Sequence, residues 1–380
     1  MAGRVSTAAV LDASGGNPRP YADHRPLRIA KLDLDPPGPE ELLVRMEAAG
    51  LCHSDLSVVN GDRVRPVPMA LGHEGTGIVE EVGSAVEGFA PGDRVVLAFL
   101  PSCGQCVPCM SGRAYLCDRA NAANGRGELL SGGFRFHECG QCVHHHLGVS
   151  AFSTHIVIDR RSAVKVDRDI PPEIAAVFGC AVLTGVGAAM NSARIEPGET
   201  VIVYGLGGVG LAALMGALAS GASRVMGVDP NPEKRKLAEE LGAVGVAPDA
   251  TADAIAADMP GGADVVIETV GHARVLEEAY RSARRGGRIV TVGLPPPDQK
   301  FEISALSLVA EAKTLSGSYM GASIPARDIP RYIDLWKAGK LPVQRLVSSV
   351  HRLEEINTLL DRMSAGEGIR QVIRFDDPAD

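Results

Sequence analysis

The chain has 380 residues, 45% hydrophobic and 22% charged, which is enough for two domains with separate cores and excludes a disordered or fibrous polymer. Its 46 acidic residues outnumber 38 basic ones, and the formal charge of −8 argues against a nucleic-acid partner. Met1–Gly16 lacks a basic segment followed by an apolar run, so no secretory signal is expected.

In chain order, the first part is β-rich and punctuated by glycine. Leu42–Ala48 and Gly77–Val82 predict strands, and within Ala90–Val96 a Pro-Gly-Asp turn leads into another. Cys103 to Gly148 is poor in periodic apolar structure and predicts a long loop-like region that bound metal would restrain. Four of its cysteines cluster within fifteen residues, at Cys103, Cys106, Cys109 and Cys117. Four compact thiolates match tetrahedral zinc and leave no opening for substrate, so this lobe, about residues 100–120, reads as a structural site. An iron–sulfur cluster is the competing metal. Such clustering in a chain without a secretory signal points to a reducing, cytoplasmic compartment rather than a disulfide framework. Cys139-x-x-Cys142 and the run His144–His146 leave a third metal or redox site open against simple packing.

Phe152–Ile158 resumes a strand pattern, and Glu173–Asn191, small and apolar, predicts a buried linker helix. Alternation then sets in. Val201–Tyr204, Arg224–Asp229, Asp264–Glu268 and Arg288–Val292 predict strands, with helices at Val209–Ser220, Glu233–Leu241 and Arg274–Arg284 between them. That order implies a parallel sheet covered on both faces. Thr200–Ser223 carries no charge over a length that could span a bilayer, but its glycine breaks favour a strand, a turn and a buried helix, with no membrane role. The tail predicts helices at Ala326–Ala338 and Leu353–Met363 and a final strand in Gly368–Phe375.

Gly205-Leu206-Gly207-Gly208-Val209-Gly210 follows a predicted strand and opens a predicted helix, as a dinucleotide-binding turn does. Gly205 allows the turn, Gly207 a close pyrophosphate, and Gly210 close helix–strand contact, while the helix N-terminus offers N–H groups to phosphate. Asp229, at the end of the next strand, is placed to accept hydrogen bonds from a ribose. Its charge would repel a 2′-phosphate, which favours NAD(H) over NADP(H). The bland alternative is a carboxylate that caps the following turn. Lys234 could reach the same ribose or simply decorate the surface.

Cys52, His73 and Cys180 are scattered, and taken singly each reads more readily as a buried core cysteine or an ordinary histidine than as a ligand. Together with the paired patterns Gly50-Leu51-Cys52-His53-Ser54-Asp55 and Gly72-His73-Glu74, the four-cysteine lobe, the glycine turn and Gly366-Glu367-Gly368-Ile369-Arg370, they occur in one order. In that order the chain resembles the zinc-containing medium-chain alcohol dehydrogenase family over essentially its whole length.

The resemblance implies an α/β architecture: a GroES-like β-rich catalytic domain plus a Rossmann-type doubly wound parallel-sheet domain. The implied division is catalytic domain 1–181, NAD-binding domain 182–321 and a return segment 322–380, with the active-site cleft between the domains. It further implies catalytic zinc on Cys52, His73 and Cys180, supported by Asp55 and Glu74, and a proton relay that begins at Ser54. Phe99, His146, Leu294 and Tyr319 would line the substrate channel with Ser54. His53 and Arg370 would meet the cofactor pyrophosphate, with Thr184, Val270 and Val292 also on the cofactor. Two zinc ions per chain, NAD(H), a small alcohol, aldehyde or ketone, and a homo-oligomer, dimer rather than tetramer, complete the expectation. Departures from the family pattern are Ser57 where many relatives carry a relay histidine, His53 for an arginine, His146 for an aromatic residue, and Asn121 where a glutathione-linked relative carries arginine. The residues Asn121–Gly140 are expected to form a long loop. Alternatives are a thiol-adduct hydroxymethyl dehydrogenase, a dehydrogenase that retains NADH, and a non-catalytic nucleotide-binding sensor.

Overall fold

The computed structural model describes residues 4–375. They divide into two units. The first comprises Met1–Cys180, Ile324–Ile329 and Val347–Asp380, and the second Ala181–Ser323 and Pro330–Leu346. The expected return segment is thus itself shared between the units, because Pro330–Leu346 clusters with the second.

The first unit is built on strands. Five of them, Arg4–Leu11, Leu27–Leu34, Phe136–Glu138, Gln141–His145 and Met69–Ala70, close a small barrel. A seven-stranded sheet runs Ala163–Val166, Arg94–Leu97, Gly75–Val82, Glu41–Gly50, Arg370–Arg374, Val347–His351, with His155–Asp159 also paired to Glu41–Gly50. Glu41–Gly50 is the centre of the arrangement. Leu42, Val44, Ile156, Ile158 and Val79 are fully buried around it, and this apolar contact supplies the driving force for the sheet.

Register explains how distant residues meet. Glu41–Gly50 pairs antiparallel with Gly75–Val82, with Ala49 opposite Gly75, so the residues that follow the first strand lie beside those that precede the second. Cys52 and His73 are therefore neighbours at one end of the pair. The strand Arg370–Arg374 joins the same end, with Val372 opposite Gly50.

The region 103–148 is not the long loop that its sequence suggests. It holds short helices at Val107–Met110 and Asp118–Arg126, a single helical turn at Ala114–Leu116, and the hairpin Phe136–Glu138/Gln141–His145. Asn121 lies inside the second helix, which ends at Gly127 in the left-handed region (φ 70°). These elements are too short to show an apolar period. The expected linker helix is present from Pro172 to Ser192, with π turns at Phe178–Val182 and Ala188–Ser192. It is long and apolar enough to cross a membrane, its most apolar 18-residue window having mean hydropathy 1.8, but 83% of that window is buried within the protein, as in a core helix.

In the second unit the strands are β1 (Thr200–Tyr204), β2 (Arg224–Val228), β3 (Val244–Val246), β4 (Ala263–Glu268), β5 (Ala283–Thr291) and β6 (Thr314–Gly317). All pairings are parallel, in the order β3-β2-β1-β4-β5-β6. This is a doubly wound Rossmann-type sheet whose strand order reverses between β1 and β4. Ile202, Met226, Val266 and Ile289 are fully buried in its core.

Candidate metal centres and dinucleotide site

Cys52 precedes the helix His53–Val59, and Asp55 is that helix's third residue. Asp55 Oδ2 accepts from the Cys52 backbone N–H at 2.9 Å, tying down the helix start. Its other oxygen, Oδ1, lies 3.0 Å from His73 Nδ1. A carboxylate only accepts, so His73 carries its proton on Nδ1 and turns the Nε2 lone pair the other way. There Nε2 lies 3.4 Å from Cys180 Sγ, and the Sγ atoms of Cys52 and Cys180 complete a buried group of three donors within 4.8 Å. Two ligands on a tetrahedral zinc, one sulfur and one nitrogen, stand about 3.5 Å apart, so the donors fit zinc. Three protein donors leave one position for a ligand.

The electrostatics agree with a cation site. Cys52 is lowered well below its ordinary value through its hydrogen bond with Cys180 and the nearby Arg370 charge, despite burial. Cys180 is raised by the same bond and by burial, so the pair resists losing a second proton without a cation. Burial pulls His73 down, but Asp55 and then the Cys52 sulfur raise it, and the net shift is upward.

Ser54 is half-buried with its hydroxyl 3.9 Å from Cys52 Sγ. Ser57 donates to the His53 carbonyl at 2.9 Å, so its hydroxyl serves its own helix. Phe99 packs edge-on against His73 with ring centroids 5.4 Å apart. His146, expected only along a substrate channel, is buried with Nδ1 3.2 Å from Asp55 Oδ1. Burial lowers its pKa, ahead of the opposing pull of Asp55. Arg370 is 3% exposed; it donates to the Leu51 carbonyl at 2.8 Å and lies 3.5 Å from Glu74 Oε2. His53 is exposed.

In the cysteine lobe, Sγ–Sγ separations are 3.4 Å for Cys106–Cys109, 3.9 Å for Cys106–Cys117 and 4.0 Å for Cys103–Cys109. Sulfurs on a tetrahedral zinc stand about 3.8 Å apart, so this lobe also fits. Cys117 caps the helix Asp118–Arg126, accepting from the Ala120 N–H at 3.5 Å, and Cys103 Sγ accepts from Gln105 and Cys106 N–H at 3.4 Å. Backbone bonding at Cys109, with further donors, lowers Cys106 to about 6, whereas burial and the Cys106 sulfur push Cys109 up to about 12. Four thiolates this close need a cation. Cys139 and Cys142 are exposed and belong to no three-donor group among the described residues.

In the second unit the glycine turn leaves β1. Gly205 has φ 86°, a Cβ at Gly210 would stand 1.7 Å from the Gly205 carbonyl oxygen, and a Cβ at Gly207 would meet nothing. The turn is closed to side chains on its inner side and open where a pyrophosphate would approach. The helix Gly208–Ala219 has no side-chain cap on its N-terminus, leaving its first N–H groups for an anion. Asp229 is 7% exposed; Oδ2 accepts from the Leu206 N–H and Oδ1 from the Asn231 N–H, each at 2.8 Å. It holds the glycine turn as well as closing its own, and each oxygen retains a further lone pair for ribose. Leu206 is fully buried, Val209 and Lys234 are half-buried, and Thr184 is 9% exposed. Val270 and Leu294 are exposed, Val292 is half-buried, and Tyr319 precedes the turn Met320–Ala322. Sequence reasoning missed Glu268 and Thr269. An acidic residue at the end of a buried strand was the available signal.

Two family models match: the alcohol dehydrogenase GroES-like domain over residues 38–168 and the zinc-binding dehydrogenase domain over 208–338. The chain is 40% identical to geraniol dehydrogenase of Castellaniella defragrans over 374 residues, covering 97% of each chain. It is 38% identical to alcohol dehydrogenase B of Mycobacterium tuberculosis, covering 93% of this chain and 96% of that one. Its structure is similar to that of benzyl alcohol dehydrogenase from Acinetobacter calcoaceticus, with a TM-score of 0.90 and 30% identity over 98% of this chain and all of the other.

Proposed function

The chain belongs to the zinc-binding medium-chain alcohol dehydrogenase family, and from that premise we propose which of its residues do the work. The activity is zinc-dependent, NAD(H)-linked interconversion of alcohols with aldehydes or ketones, with two zinc ions per chain. Cys52, His73 and Cys180 hold the catalytic zinc, and Cys103, Cys106, Cys109 and Cys117 hold the structural one. The observation that carries this assignment is the buried Cys52–His73–Cys180 group, in which three donors, not four, converge within 4.8 Å.

When bound, zinc supplies Lewis-acid polarisation of the substrate oxygen and the nicotinamide carries the hydride. Asp55 fixes the ring of His73 and neutralises part of the local charge. Ser54 holds the hydroxyl proton and passes it outward, since one hydroxyl can accept and donate in turn. Phe99 keeps water from one side of His73. Asp229 accepts from the adenosine ribose and disfavours a 2′-phosphate; the turn Gly205–Gly210 takes the pyrophosphate. Relatives named for geraniol and benzyl alcohol support unsaturated or aromatic primary alcohols as substrates.

The enzyme is further proposed to be a cytoplasmic homodimer. Support comes from the cysteines, six of them gathered in the two zinc-donor groups and none paired in a disulfide among the described residues, as suits a reducing compartment, and from the edge strand β6. Just before β6, Leu306 and Val309 are 75% and 79% exposed, apolar area that a second copy would cover. The functional test is NAD⁺ reduction with geraniol, benzyl alcohol and ethanol by wild type and Cys52→Ser. Turnover in wild type, lost in the variant while Cys103, Cys106, Cys109 and Cys117 keep their zinc, is expected. Undiminished turnover in Cys52→Ser would overturn the assignment.

A further inference from the structure

Because the sheet of the second unit is parallel, the residues after its strands emerge together at one edge. Tyr204 pairs with Val228 on one side and Glu268 on the other, and Glu268 pairs with Thr291. The glycine turn after β1 and Asp229 after β2 account for the pyrophosphate and the adenosine ribose. Strand order reverses between β1 and β4, and a dinucleotide bound across that reversal places its second nucleotide over the loops after β4 and β5.

Those two loops share one organiser. Glu268 ends β4 and is 1% exposed. Its Oε1 accepts from the N–H groups of Val270 and Gly271, both at 2.7 Å, and its Oε2 accepts from the Thr291 hydroxyl at 2.7 Å. Its backbone carbonyl accepts from Val292 N–H at 2.7 Å and Gly293 N–H at 3.3 Å. One residue thus ties down both loops. They are also in contact: a Cβ at Gly293 would stand 2.0 Å from Gly271 N, and one at Gly271 would stand 2.8 Å from Leu294 N. The frame leaves Val270 and Leu294 50% and 54% exposed, two large apolar side chains presented at the edge where a flat ring would rest. The adjacent Thr269 hydroxyl donates to the carbonyls of Tyr204 and Gly205 at 2.9 and 3.0 Å, joining this frame to the pyrophosphate turn.

We infer that Glu268 is a positioning residue for the nicotinamide half of the cofactor: its buried side chain and carbonyl shape the loops Val270–Gly271 and Val292–Leu294 to receive the ring. This rests on the NAD-linked reading given above. Glu268 touches no cofactor atom itself; it makes the ring-binding shape the populated one, so its loss lowers the competent fraction rather than removing a contact.

The test compares NADH with ADP-ribose, which lacks the ring, as titrants of the zinc-loaded full-length protein in wild type, Glu268→Ala and Glu268→Gln. Glu268→Ala is expected to weaken NADH by about tenfold or more while ADP-ribose changes by less than about threefold. Glu268→Gln should recover much of the loss, because its amide oxygen can still accept from Val270 and Gly271. Thr291→Val, which removes one partner without disturbing the main chain, should show a smaller loss of the same selectivity and serves if the alanine variant does not fold. Equal weakening of both titrants, or of neither, would overturn the role of Glu268. Failure of wild type to bind either titrant would overturn the dinucleotide reading beneath it.

Discussion

Replacing Asp55 by asparagine separates the two tasks of this carboxylate. Both oxygens are committed: Oδ2 accepts from Cys52 N–H at 2.9 Å, and Oδ1 faces His73 Nδ1 at 3.0 Å and His146 Nδ1 at 3.2 Å. An amide has one acceptor oxygen, so its NH₂ must face either the Cys52 N–H or the proton of His73. Either choice replaces a charge-assisted bond by donor against donor in a site with no solvent access. A buried bond to a charged group contributes about 1.5–3 kcal/mol. Loss of such a partner behind a metal-bound histidine weakens metal binding by about 10–100-fold, or about 1.4–2.8 kcal/mol, so the two scales agree. The assay is zinc release to a chromogenic chelator, which should show two phases in wild type. Asp55→Asn is expected to accelerate the phase belonging to Cys52, His73 and Cys180 and to leave the other unchanged. A variant with both phases unchanged would refute the reasoning, as would equal acceleration of both.

Asp229→Gly should lower the NAD over NADP preference in kcat/KM by about tenfold or more, by removing the repulsion of a 2′-phosphate. Because Asp229 also holds Leu206 and Asn231 N–H, both cofactors should bind more weakly in absolute terms; steady-state constants with each will show this. Ser54→Ala should slow alcohol oxidation by about 100-fold, with zinc content and NADH binding retained, and Ser54→Thr should restore much of the rate. Near-wild-type hydride formation in Ser54→Ala would remove the hydroxyl from the proton route. His145 is held down to about 3, by burial and then by the Arg135 charge, while its Nε2 accepts from the Arg135 N–H at 3.1 Å. The folded imidazole stays neutral where the unfolded one binds a proton, so stability falls as pH drops from about 6.5 toward 3, by up to about 1.4 kcal/mol per pH unit. Proton uptake on unfolding at pH 5 should fall by about one proton in His145→Gln.

Four of the six strands of the Rossmann-type sheet were legible as short apolar runs, with β1, β2 and β4 closed by Gly205, Asp229 and Glu268, whereas β3 and β6, three and four residues long, were too short to stand out. Asn231 caps its helix where its position before Pro232 suggested, accepting from Glu233 N–H at 2.9 Å. The cysteine lobe was legible because its donors lie within fifteen residues. The Cys52–His73–Cys180 group was not legible by spacing, since the residues meet through strand register and a helix turn over a separation of 107 residues between His73 and Cys180. Short elements between Cys103 and Gly148 stayed hidden because three- to nine-residue segments show no period. The place of His146 against Asp55 depends on the turn after Gln141–His145, and the bonds of Glu268 depend on two loops that join only in the fold. No local pattern announces either.

The most direct test of the account is zinc content measured by mass spectrometry on protein purified without added metal, with turnover recorded on the same sample. Two donor sets, each with separations suited to zinc, predict two zinc ions per chain in fully active protein. In Cys52→Ser the content should fall to one and turnover should vanish together. Fully active wild type holding a single zinc ion would contradict the two-site assignment.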